Sequence, residues 1–130
     1  MKYLLVGGSV LLIITLIQAW LLTGIRILQI DALKKRFPSD DQLLKSHIDY
    51  ILMALILFAF YAIGIELPML IIVLSIVGAT VNPGLFMVFA MKTKDDPPPG
   101  PLFKAIAFTS FVATTVGYGG AAIIIALTAV

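Results

Sequence analysis

Residues 37–68 read FPSDDQLLKSHIDYILMALILFAFYAIGIELP, and this stretch decides the fold. Its start is polar; from Tyr50 to Ile65 it carries no charged residue. Pro38 and Ser39 precede Asp40 and Asp41, and Gln42 stands three positions after Ser39, the spacing of a capping box. The two aspartates suit the positive end of a helix dipole. A helix is therefore expected from about Asp40 to Gly64, beginning before the hydrocarbon proper. His47 falls two turns into it, at or just inside the interface. Glu66-Leu67-Pro68 is a very short connection, so the next apolar segment must return as an antiparallel partner.

Working outward from this hairpin gives four apolar spans, at about 3–24, 40–64, 68–91 and 102–127. A span needs about 20 apolar residues to cross roughly 30 Å of hydrocarbon. The composition agrees: 61% of the 130 residues are hydrophobic and 12% are charged, against roughly 45–50% and 25% in soluble domains. The expected fold is all-α, a single integral membrane four-helix bundle over residues 1–130. Lys2 ahead of an apolar run imitates a signal peptide, but the run is too long for an h-region, so span one is read as a retained helix. Trp20 suits the interface near its far end. The third span is interrupted by Asn82-Pro83-Gly84, and proline there removes a backbone hydrogen bond and kinks the helix.

Orientation follows from counting Lys and Arg. Arg26, Lys34, Lys35, Arg36, Lys45, Lys92, Lys94 and Lys104 flank the first and third connections, and only Lys2 lies on the other side. Eight against one predicts that loops 25–45 and 92–104 are cytoplasmic and both termini are not. A bacterial inner (plasma) membrane is the expected location. The net charge of +2 is therefore a membrane-flanking charge and not a nucleic-acid surface. The chain has no cysteine, which excludes disulfides, thiolate metal sites and cysteine nucleophiles. No glycine-rich phosphate loop, carboxylate metal cluster or serine–histidine arrangement is present, and one histidine excludes a histidine-type zinc site.

Three features could carry chemistry. TTVGYGG at 114–120 imitates a potassium-channel filter, whose carbonyls replace the ion's hydration shell. The ten residues after Gly120 cover only about half the hydrocarbon at ~1.5 Å each, too short for the inner helix a filter needs. The favoured reading is a packing face, with Gly117 and Ala121 at small-xxx-small spacing and Tyr118 available to a ligand. His47 is the second feature. A lone histidine near a helix start is commonly a hydrogen-bonded interface residue, yet imidazole is also a good axial ligand for haem iron. Tyr50 and Ile51 lie one turn on, on the same helix face. Asp49 is costly near the bilayer unless paired, and Lys45, four residues earlier, can pair with it. With one histidine per chain, any haem would be five-coordinate or would take another ligand, such as Met53. The third is Asn82, a buried amide that either satisfies the Pro83 kink or lines a pocket.

Lys45-Ser46-His47 opening the second of four spans, Ala79-Thr80-Val81-Asn82-Pro83-Gly84-Leu85-Phe86 in the third, and an aromatic, small-residue fourth span after a Pro/Gly-rich loop form a pattern. It resembles the styrene oxide isomerase and hydroxylaminobenzene mutase group. The likeness covers most of the chain in layout; its specific part is the basic-x-His start and the Asn-x-x-x-Phe stretch. The resemblance implies a homotrimer with haem b at the subunit interfaces, its iron ligated by His47. It also implies ferric iron acting as Lewis acid on an epoxide oxygen. In that group an asparagine six residues after the ligand and a tyrosine late in the third helix complete the site. Met53 and Phe86 stand at those positions here, so both polar groups are lost and the epoxide chemistry does not carry over intact. The resulting expectation is a haem-binding membrane protein, with Tyr50, Met53, Asn82, Phe86 and Tyr118 as pocket candidates. It would isomerise a small apolar substrate, or sense or transfer electrons. The alternative is a cofactor-free accessory or assembly subunit of a larger membrane complex.

Overall fold

The computed structural model describes all residues, Met1–Val130, and contains helices only. They are α1 (Lys2–Arg26), α2 (Asp31–Arg36), α3 (Asp40–Ile63), α4 (Met69–Ala90) and α5 (Pro101–Ala129). α1, α3, α4 and α5 are each long and apolar enough to cross a bilayer. The protein is an integral membrane four-helix bundle. Of 100 backbone hydrogen bonds, 85 lie within helices, which meets the requirement that a chain in lipid satisfy its own backbone. The helix bounds match the sequence expectation within about two residues.

The helices pack in the order α1–α3–α4–α5, with α1 also touching α4 and α5 lying along α4. Two apolar clusters form. Leu4, Leu57, Phe60, Leu67 and Ala121 belong to one, at the end holding both termini and the α3–α4 turn. Leu22, Ile25, Phe37, Leu43 and Ala90 form the other, at the basic-loop end. α3 stops at Gly64, whose φ of 77° is the left-handed conformation of a helix C-cap.

Three local expectations are corrected. First, the capping box does not form. Ser39 is the N-cap of α3, but its side chain makes no cap hydrogen bond. Its hydroxyl donates instead to the Lys92 carbonyl at 3.0 Å, and its N–H to the Ala90 carbonyl at 3.2 Å. The end of α4 presents carbonyls with no helical donor, and Ser39 supplies two. Second, α4 is not interrupted at Asn82-Pro83-Gly84; it is helical from Met69 through Pro83 to Ala90. Third, the first basic connection is not plain loop. Gln29 turns the chain with a φ of 55°, and α2 folds back beside α1.

Thr114–Gly120 is helix throughout, and the small-residue face packs as expected. Gly117 and Ala121 are buried. A Cβ on Gly117 would lie 2.5 Å from the Ser75 nitrogen, so α5 rests directly on the α4 backbone there. Gly78 of α4 receives Thr114 in the same way.

Candidate functional site

Between the two apolar clusters lies a layer of polar groups: side chains from α1 and α3 and a main-chain carbonyl from α4. Gln18 Nε2 donates to Ser46 Oγ at 2.8 Å, and Ser46 Oγ donates to the Pro83 carbonyl at 2.8 Å. Gln18 and Ser46 are fully buried. This chain of hydrogen bonds ties three helices together at one level, where an unpaired group would be costly. Serine in α3 and glutamine in α1 carry no sequence signature for this pairing. It emerges only when antiparallel packing brings residues 18, 46 and 83 together.

His47 belongs to the same layer but faces the other way. Its Nδ1 is 3.1 Å from the Thr15 carbonyl of α1. A carbonyl only accepts, so Nδ1 is the donor in this bond, and in the neutral ring the lone pair is on Nε2. The ring is half-buried on the seam between α1 and α3. Thr15 Oγ1 and Gln18 Oε1, both buried beside this seam, have no partner within the protein. His47 sits seven residues past the first residue of α3, roughly 10 Å along its axis at 1.5 Å per residue.

The other candidate residues are not gathered around His47. Tyr50 does not share its surroundings: it is buried against α4, where its hydroxyl donates to the Thr80 carbonyl at 2.9 Å. Pro83 lacks the N–H that would bond the carbonyl four residues back, and Tyr50 supplies a donor at the adjoining carbonyl. Tyr118 of α5 donates its hydroxyl to the Met53 carbonyl at 3.0 Å and packs edge-on against Phe60 at 5.5 Å. Met53 and Tyr118 thus form a separate contact nearer the terminal end.

Asn82 and Phe86 line a third place, an open groove of about 580 Å³ between α3, α4 and α5, with Asp49, Leu52, Phe89 and Phe111. Residues two apart on a helix stand about 200° apart, so Asp49 and Lys45 face this groove while His47 faces α1. The expected Lys45–Asp49 pair is absent; the ion pairs present join Arg26 to Asp40 at 2.8 Å and to Asp41 at 3.1 Å. Lys45 also lines a second pocket at the loop end, where a long side chain carries its ammonium toward water. Asp49 and Asn82 therefore face the groove without a hydrogen-bonding side-chain partner.

The chain holds no cluster of three or more His, Asp or Glu arranged to bind a metal ion. Among known proteins, no family model, no curated sequence and no solved structure matches this chain.

Proposed function

We propose that this protein binds haem b through Nε2 of His47, at the lipid-facing seam of α1 and α3. The observation that carries the proposal is the Nδ1–H···O bond to the Thr15 carbonyl. Histidines that ligate metals almost always donate their other ring N–H to a carbonyl or carboxylate, which fixes the tautomer and strengthens the ligating nitrogen. His47 has that arrangement, and the donor set fits an axial haem ligand. The half-exposed position on an outer seam fits a cofactor held between subunits, with a second copy of the chain covering its other face. The likeness to the styrene oxide isomerase group makes a trimer the favoured assembly.

Bound there, ferric haem would supply a Lewis acid to an oxygen-bearing apolar substrate. The chain's own contribution is to hold the imidazole with Thr15 and to keep water out with the apolar faces of α1 and α3. Tyr118 bonds the Met53 main-chain carbonyl, the Met53 side chain packs against the first apolar cluster, and Phe86 lines the groove on the far side of α3. Neither gives His47 a polar neighbour, so isomerisation of an epoxide should be slow, and a binding or sensing role fits the residues better than fast turnover. The eight basic residues at the loop end support a cytoplasmic placement of that end in a bacterial plasma membrane.

The test is titration of purified, detergent-solubilised protein with hemin, followed at the Soret band. Wild type should saturate at one haem per chain, and His47→Ala should lose the sharp ligated band. A titration identical in the two proteins would sink the proposal.

A further inference from the structure

Two cavities of this molecule adjoin, sharing three lining residues, and differ in character. The groove between α3, α4 and α5 is walled by Leu52, Phe86, Phe89 and Phe111, and has a volume of about 580 Å³. The pocket above it, about 510 Å³, is built by the start of α3 and the loop after α4, and is lined by Lys45, Lys92 and Lys94. Lys45, Phe86 and Phe89 line both. The result is one cleft, apolar along the membrane and basic at its mouth.

The three lysines make no ion pair; the ion pairs of the protein belong to Arg26. Lys92 stands 6.0 Å over the Phe103 ring, which holds it near the mouth. Two carboxylates also line the cleft. Asp96 accepts a hydrogen bond from the Thr93 N–H at 2.7 Å, and Asp49 lies one helical turn deeper than Lys45. The charge facing the head position is therefore positive. Lysine clusters placed where a membrane span meets the interface attract anionic headgroups, and the aromatic groove beneath has the polarity of an acyl chain.

We propose that this cleft is a binding site for an anionic phospholipid, its phosphate among Lys45, Lys92 and Lys94 and one acyl chain along Phe86, Phe89 and Phe111. The site is independent of the haem proposal, because it opens on the side of α3 opposite His47.

The experiment is native mass spectrometry of the full-length protein purified in detergent. It would be supplied with equimolar dioleoyl phosphatidylglycerol and dioleoyl phosphatidylcholine. Wild type should retain the phosphatidylglycerol preferentially, one per chain. The variant K45Q/K92Q/K94Q should lose that preference by about a hundredfold, at roughly fivefold for each of the three lysines. The control K35Q/R36Q/K104Q removes equal charge from the same end of the molecule without touching the cleft, and should keep the preference. Equal retention of the two lipids by wild type would overturn the proposal. So would an equal loss in both variants, which would mean diffuse surface charge, or displacement of the lipid by glycerol 3-phosphate, which has no acyl chain.

Discussion

Ser46 and His47 are neighbours in the chain and serve opposite sides of α3. Ser46 relays between Gln18 and Pro83, whereas His47 leans on Thr15. Removing the Ser46 hydroxyl leaves Gln18 Nε2 with only the Met87 sulfur at 3.5 Å. Hydrogen bonds between helices in membranes are modest, so Ser46→Ala should cost about 1 kcal/mol, read as a lower SDS-unfolding midpoint. Tyr50→Phe should cost a similar amount, because the Thr80 carbonyl loses its donor beside the proline. By contrast, Arg26→Ala should shift the midpoint little, under about 1 kcal/mol, since its two carboxylate partners are solvent-exposed ion pairs. His47 could be singled out from sequence because it is the only histidine beside a membrane boundary. Thr15 could not: its part is played by a main-chain carbonyl, which any residue would supply.

The most constrained packing is between α4 and α5. Gly117 leaves room for the Ser75 backbone and Gly78 leaves room for Thr114, so the two helices come together at two small residues on opposite sides of one seam. Gly117→Val should push them apart and destabilise the protein by about 1–3 kcal/mol. Gly119→Ala, on the same helix with open space around the added carbon, should leave the midpoint unchanged or raise it. At the α3–α4 turn, Gly64→Ala should cost about 1–2 kcal/mol for a left-handed backbone, although nothing there would be touched. Small-residue spacing in α5 was readable in advance, since close approach demands it. The fate of Ser39 was not. A capping box is a local pattern, and the competing carbonyls come from residues 90 and 92, distant in sequence.

For the molecule as a whole, the four spans and their turns were legible because lipid imposes a single rule, about 20 apolar residues per crossing. The site was legible only in part. Six residues were singled out, and the fold distributes them over three places: His47 on the α1 seam, Asn82 and Phe86 in the α3–α4–α5 groove, and Tyr50, Met53 and Tyr118 in contacts that fasten helices. Periodicity fixes which residues share a helix face; it does not say which neighbouring helix that face meets. The absence of cysteine makes orientation easy to test. Single cysteines at Gln29 and Asp95 should react with a membrane-impermeant maleimide only from the cytoplasmic side, and one at Glu66 only from outside; the reverse pattern would overturn the orientation. The central claim is that His47 carries a haem. Its most direct test is the haem content per chain of protein purified from haem-replete membranes, measured as the pyridine haemochrome. Wild type should carry close to one equivalent, and His47→Ala, still helical by circular dichroism, close to none. A haem-free wild type, or equal haem in the two proteins, would contradict the account.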